Sequence, residues 1–68
     1  MTLHITLNGE PRDVREGDTL ADLVAALGQP PQSLATAVNG EFVARAARAS
    51  TPLQEGDAVF TFQPITGG

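Results

Sequence analysis

The sequence predicts an α+β domain in which one main helix packs on one face of a mixed sheet of four to five strands. Three observations support this fold class: two Asn-Gly pairs between strand-like runs, one leucine- and valine-rich stripe at helical spacing, and a strand-like apolar run near the end of the sequence. Asn-Gly is the strongest short hairpin signal, because both residues accept positive φ. A helix between two hairpins is expected to cover one face of their sheet.

The first hairpin lies in the first 15 residues. Residues 3–7 alternate between apolar and polar side chains, which is typical of a half-buried strand. Asn8-Gly9 predicts a type I′ turn, and residues 10–15 predict the second strand with Val14 pointing inward. Pro11 lacks an N–H, so this strand is expected at an edge of the sheet.

The main helix is predicted to begin after an N-cap at Asp18 or Thr19. If Thr19 is the cap, Asp22 three residues later stands where a capping box places its acid. The apolar stripe has the spacing i, i+3, i+4, i+7 and consists of Leu20, Leu23, Val24 and Leu27. Gly28 permits a left-handed exit from the helix, and Pro30 and Pro31 prevent the helix from resuming.

A second hairpin and a last strand complete the sheet. Residues 34–38 predict a strand of small side chains, Asn39-Gly40 predicts the second tight turn, and residues 41–44 predict a short strand. After a turn, residues 58–63 predict the last strand. We interpret this order as a β-grasp, the ubiquitin-like fold, in which the last strand returns to the middle of the sheet beside the first.

The segment between the second hairpin and the last strand has no clear periodicity. Residues 45–51 contain alanines and two arginines and predict either a helical turn or an irregular crossover. We interpret Arg45 and Arg48 as solvated surface side chains, because arginine is rarely buried without partners.

Composition limits the classes of function. The chain has 68 residues, no cysteine, one histidine and a net charge of −4. We therefore expect no disulfide, no metal site and no nucleic-acid partner, which would require a basic surface. The single histidine, His4, is expected on the polar side of its strand. No signal peptide or membrane span is expected, and a cytoplasmic protein follows as the default.

The domain is predicted to cover residues 1–64, with a flexible tail at residues 65–68 that ends in Gly67-Gly68. A chain this short commits its large aliphatic side chains to its core, so enclosing a small-molecule pocket would be difficult. The tail is then the most plausible place for chemistry.

Five short motifs follow one another along the chain. In order, they are Leu-Asn-Gly-Glu at 7–10, Glu-Gly-Asp-Thr-Leu at 16–20, Val-Asn-Gly-Glu-Phe-Val at 38–43, Leu-x-Glu-Gly-Asp-x-Val at 53–59 and Ile-Thr-Gly-Gly at 65–68. With these motifs the sequence resembles the ThiS family of sulfur carrier proteins in thiamine (thiazole) biosynthesis. The resemblance covers essentially the whole chain, and Arg45 matches a family arginine.

The resemblance implies a carrier and not an enzyme. By this resemblance, a ThiF-like enzyme would use ATP to adenylate the Gly68 carboxylate. Sulfur relayed from a cysteine desulfurase would then form a thiocarboxylate, a 1-thioglycine at Gly68. The thiazole synthase ThiG would take this sulfur, and the carrier would hold no cofactor tightly.

Tail residues and two aromatic residues are the candidate recognition sites. Ile65, Thr66 and Gly67 are expected to be read by partner enzymes, because glycine lets the backbone pass a narrow channel. Pro64 stiffens the exit from the sheet. By analogy with ubiquitin-like proteins, Phe60 and Phe62 are expected on the open face of the sheet as a partner-binding patch, with Val59 facing the core; the alternative is that both rings are core.

Three other functions remain open at this point. Pro64 and the ending Phe-Gln-Pro-Ile-Thr-Gly-Gly also resemble the molybdopterin synthase small subunit, the sulfur carrier for the molybdenum cofactor. The remaining alternatives are a non-catalytic β-grasp interaction module and a ubiquitin-type protein tag.

Overall fold

The computed structural model describes residues 1–28 and 30–63. The strands are β1 (Thr2–Leu7), β2 (Glu10–Arg15), β3 (Ala35–Val38), β4 (Glu41–Val43) and β5 (Ala58–Phe62), and the helix is α1 (Leu20–Ala26). Two 3₁₀ segments, Pro31–Ser33 and Arg45–Ser50, lie on either side of the second hairpin. The predicted elements are all present, with small differences at the ends of β3, β4 and β5.

One five-stranded sheet has the order β2-β1-β5-β3-β4. The pair β1/β5 is parallel and the other pairs are antiparallel, so the sheet is mixed. The last strand therefore lies at the centre, beside the first, as predicted. β2 is an edge strand, which is where Pro11 can be accommodated without losing a ladder hydrogen bond. This order, with α1 packed on one face, makes the fold a β-grasp of the α+β class.

Both Asn-Gly pairs form the predicted turns. The φ angles are +53° at Asn8 and +85° at Gly9, and the same two values recur at Asn39 and Gly40. Positive φ at both central residues defines the type I′ turn, whose twist matches that of the flanking strands. The two turns thus have equivalent φ angles.

Of the two N-cap candidates, Asp18 and Thr19, Thr19 caps the helix. The backbone N–H of Thr19 donates to Asp22 Oδ2 at 2.9 Å and the N–H of Asp22 donates to Thr19 Oγ1 at 3.3 Å, a reciprocal capping box. Gly28, at φ +74°, follows the C-cap residue Leu27. Among the residues that the structure describes, no helix is long and apolar enough to cross a membrane.

The core lies between α1 and the inner face of the sheet. The buried cluster consists of Ile5, Leu20, Leu23, Leu53 and Val59. Val24 is buried as well, whereas Leu27 is only half-buried. The helical stripe therefore packs as predicted, with its last residue at the margin of the core.

Arg48 corrects the interpretation that both arginines are solvated. Its side chain is 3% exposed, and Arg45 alone lies at the surface. The Nε of Arg48 donates to Thr36 Oγ1 at 3.0 Å and Nη2 donates to the carbonyl oxygen of Leu34. The Thr36 hydroxyl in turn donates to the carbonyl oxygen of Val43. Burial of a guanidinium is tolerable when its donors meet acceptors, and these acceptors come from distant parts of the sequence.

Candidate functional site: the central strand and its open face

The candidate site is built on β5, because this strand leads into the predicted tail. β5 pairs with β1 on one side and with β3 on the other. Its last residue is Phe62, two positions before Pro64. The predicted site residues Pro64, Ile65, Thr66, Gly67 and Gly68 lie outside the described residues, and so does the predicted boundary between domain and tail.

The side chains of β5 alternate between the two faces of the sheet. Val59 is completely buried against the helix side. Phe60 and Phe62 point to the opposite face and are 38% and 54% exposed. Their predicted position on the open face is therefore confirmed, and the alternative that both rings are core is wrong. Their role in binding partners stays a prediction.

Phe42 lies on the same face, although no sequence pattern indicated a role for it. It is 72% exposed on β4 and pairs with Ala37 of β3, which in turn pairs with Phe60 of β5. Residues paired across neighbouring strands share a face of the sheet. We call Phe42, Phe60 and Phe62 the aromatic face. The second Asn-Gly turn could have indicated the place of Phe42 in this face, because a two-residue turn sets the register that puts Phe42 opposite Ala37.

The other half of the open face is polar. His4 on β1 is exposed, as predicted, with Nε2 3.8 Å from Asp13 Oδ1 and Nδ1 3.6 Å from Glu55 Oε2. These three side chains are well exposed. Among residues 1–28 and 30–63, no group of three or more His, Asp or Glu side chains could hold a metal ion.

An open groove of about 290 Å³ runs between β2 and α1. Its lining includes Arg12, Val14, Asp18, Asp22 and Leu23. Two of its carboxylates already have internal hydrogen bonds: Asp22 belongs to the capping box, and Asp18 accepts from the backbone N–H of Arg15 at 3.1 Å. We assign no ligand to this groove.

Both turn asparagines contact β5 through their side chains. Asn8 Oδ1 accepts from the backbone N–H of Thr61 at 3.0 Å, and Asn8 Nδ2 donates to Thr61 Oγ1 at 3.0 Å. Asn39 Oδ1 accepts from the N–H of Ala58 at 3.0 Å, and Asn39 Nδ2 donates to Asp57 Oδ1 at 3.0 Å. The central strand is thus held at its start by one turn and near its end by the other.

Known proteins match this chain over most of its length. The ThiS family model matches residues 5–68. A thiazole synthase from Magnetococcus marinus is 36% identical over 66 residues, which are 97% of this chain and 20% of that protein. The chain therefore spans about one fifth of the length of this curated relative.

Two solved structures from Geobacter metallireducens are similar to the fold described above. The crystal structure of the thiamine biosynthesis protein ThiS has a TM-score of 0.85 and 30% identity, covering 97% of this chain and all of that one. The solution NMR structure of a thiamine biosynthesis protein has a TM-score of 0.73 and 29% identity, covering 97% of this chain and 88% of that one. Since the family match extends over nearly the whole sequence and the sheet order and helix agree with a β-grasp, the chain belongs to the ThiS family.

Proposed function

We propose that the chain is a sulfur carrier of thiamine biosynthesis whose Gly68 carboxylate is adenylated and converted to a thiocarboxylate for thiazole formation. The observation that carries this proposal is the ThiS family match, which runs through to Gly68 and includes both tail glycines. The central position of β5 supports it, because a strand paired on both sides is a firm base for residues presented to another protein.

The proposed chemistry requires a leaving group that a carboxylate lacks. Attack of a Gly68 carboxylate oxygen on the α-phosphorus of ATP releases pyrophosphate and forms an acyl adenylate. The terminal sulfur of a persulfide from a cysteine desulfurase relay then attacks the carbonyl carbon and displaces AMP, which gives an acyl disulfide. A thiol reductant cleaves the S–S bond of this intermediate, so that the thiocarboxylate is released and the relay sulfur leaves as a disulfide with the reductant. The carrier contributes the reacting carboxylate and no catalytic group, so it is a co-substrate and not an enzyme.

The comparisons favour thiamine biosynthesis over the molybdenum cofactor. The matched relative is named a thiazole synthase, and both solved structures are named thiamine biosynthesis proteins. We therefore propose the thiazole synthase ThiG as the acceptor of the sulfur. The ThiF-like adenylating enzyme and the desulfurase relay follow from the family resemblance.

The aromatic face is the proposed docking surface for these partners. Aromatic residues, phenylalanine among them, are enriched at protein–protein interfaces relative to the rest of the surface. Phe62 is two positions from Pro64, so a partner seated on this face would lie next to the tail. Ile65 would then anchor the tail at the mouth of the partner's channel, and Thr66 and Gly67 would occupy the narrow part of that channel.

Mass spectrometry of the intact chain tests the carrier chemistry. Incubation with a ThiF-like enzyme, ATP and a sulfur source is expected to replace one oxygen of the chain by sulfur, localised to Gly68 by fragmentation. Gly68→Val should abolish this mass change, because a branched side chain blocks close approach to the nucleotide. Ala46→Val, at an exposed position of the 3₁₀ segment, is the control and should be charged normally. Normal charging of Gly68→Val would contradict the proposal.

Affinity measurements test the docking surface. Phe62→Ser is expected to weaken binding to the adenylating enzyme about tenfold, as for a residue central to an interface. His4→Ser removes an exposed side chain from the polar half of the same face and should change affinity less than about twofold. Equal effects of the two substitutions would exclude the aromatic face as the docking surface. A pull-down with this chain as bait distinguishes the two carrier pathways. Recovery of a molybdopterin synthase large subunit instead of thiazole synthase would assign the carrier to molybdenum-cofactor synthesis.

A further inference from the structure

The ladder between β1 and β5 ends before β5 does. The backbone N–H of Thr6 donates to the carbonyl of Asp57 at 2.9 Å, and the N–H of Asn8 donates to the carbonyl of Val59 at 2.8 Å. In a regular parallel ladder the bonds are evenly spaced, so the next bond would run from the N–H of Thr61 to the backbone carbonyl of Asn8. At Asn8, however, φ is +53° and the chain turns away into the hairpin.

The carboxamide of Asn8 takes the place of that missing backbone carbonyl. The N–H of Thr61 donates to Asn8 Oδ1 at 3.0 Å, and Asn8 Nδ2 returns a hydrogen bond to Thr61 Oγ1 at 3.0 Å. A carboxamide has both the acceptor and the donors that this pair of contacts requires. Asparagine also tolerates the left-handed backbone better than most residues. Asn8 therefore both adopts the backbone conformation of the turn and supplies the side-chain hydrogen bonds to β5.

Thr61 is close enough to the tail for this contact to matter. Phe60, Thr61 and Phe62 pair with β3 on one side, while β1 has already ended at Leu7 on the other. Four positions separate Thr61 from Ile65. Each residue released from the sheet adds up to about 3.5 Å of reach, so loss of pairing at Thr61 would add to the reach of the residues that follow β5.

We propose that Asn8 is a positioning residue for the tail: its carboxamide extends the pairing of β5 to Thr61 and fixes the point at which the chain leaves the sheet. This inference rests on the proposed function, because a fixed exit matters only if partner enzymes read the tail. A partner then meets a tail whose base is already ordered and loses less conformational entropy on binding.

Asn39 provides a matched control within the same chain. Its turn has the same φ angles, and its Oδ1 accepts from the N–H of Ala58, at the other end of β5. Replacing either asparagine by glycine removes the side chain and keeps a residue that accepts positive φ. Asn8→Asp retains an acceptor for the N–H of Thr61 and is the conservative variant for rescue.

Amide hydrogen exchange tests the anchoring directly. Asn8→Gly is expected to speed exchange at Thr61 about tenfold, the equivalent of one ordinary hydrogen bond, and to leave Ala58 unchanged. Asn39→Gly should have the reverse pattern, and Asn8→Asp should restore slow exchange at Thr61. Unchanged exchange at Thr61 in Asn8→Gly would overturn the proposed anchoring.

Steady-state kinetics of adenylation test the consequence for the tail. Asn8→Gly should raise the KM of the adenylating enzyme for the carrier several-fold with kcat unchanged, because the chemical step still occurs at an unaltered Gly68. Asn39→Gly should leave KM unchanged, and Asn8→Asp should restore it. Equal KM increases in the two glycine variants, or no increase in Asn8→Gly, would overturn the positioning role. If the wild-type chain gains no sulfur at all, the proposed function fails, and the exchange comparison still decides the anchoring.

Discussion

The two Asn-Gly turns have equivalent φ angles and occupy different electrostatic environments. Each turn directs a carboxamide oxygen to a backbone N–H of β5 at 3.0 Å. The carboxamide nitrogens differ, since Asn8 Nδ2 donates to the neutral hydroxyl of Thr61 and Asn39 Nδ2 donates to the carboxylate of Asp57. One local sequence signal thus produces two contacts that should respond very differently to an added charge.

Asn39→Asp should have the largest effect on stability. It places a second carboxylate where Asn39 Nδ2 now lies 3.0 Å from Asp57 Oδ1. We expect a loss of about 1–2 kcal/mol at neutral pH, from a lost charge-assisted hydrogen bond and a partly screened repulsion. Urea unfolding at pH 7 measures this loss.

Gly9→Ala and Gly40→Ala should have intermediate effects that are equal to each other. Both glycines have φ +85°, and an added Cβ would meet nothing within 4 Å at either position. The cost is therefore that of the left-handed backbone alone, about 1 kcal/mol for each variant. Thermal unfolding of the two variants side by side checks this. If the stability losses of the two variants differ by more than about 0.5 kcal/mol, which is beyond usual scatter, the backbones of the two turns are not equivalent.

Thr61→Val should have a small effect. It removes the hydroxyl that accepts from Asn8 Nδ2 and keeps the backbone N–H that donates to Asn8 Oδ1. The freed Nδ2 is exposed and can bond to water, so we expect a loss of about 0.5 kcal/mol. Denaturant unfolding measures the loss of stability, and amide hydrogen exchange at residue 61 measures whether its backbone N–H stays protected. Fast exchange there would show that the hydroxyl, and not the carboxamide oxygen, holds the strand.

Asn8→Asp should have the smallest effect and is the counterpart of Asn39→Asp. The new carboxylate still accepts from the N–H of Thr61, and the threonine hydroxyl can rotate to donate to it. We expect a change within about 0.5 kcal/mol. Parallel unfolding curves of the two aspartate variants at pH 7 provide the measurement, and equal losses would contradict the assigned difference between the two environments.

Local sequence patterns were sufficient for most of the fold. The turns at Asn8 and Asn39, the capping box of Thr19 and the inward position of Val59 all appear as predicted. The turns and the capping box depend on the φ preferences of single residues or on spacing within a few positions, which any sequence displays directly. The inward position of Val59 and the exposure of Phe60 and Phe62 were predicted from the ubiquitin-like analogy, because alternation along β5 does not say which set of side chains faces the core.

The tertiary structure decided which distant groups meet. The hydrogen bond from Arg48 to Thr36 joins residues 12 positions apart, and that from Thr61 to Asn8 joins residues 53 positions apart. Neither contact follows from a local pattern, so Arg48 was assigned to the surface and Asn8 only to a turn. The elements, their caps and the two turns could be predicted from the sequence, because they are set by neighbouring residues. Only the folded sheet showed that Phe42 shares a face with Phe60, with Ala37 between them, and that Asn8 lies beside Thr61, because the register between distant strands is set by packing of the core.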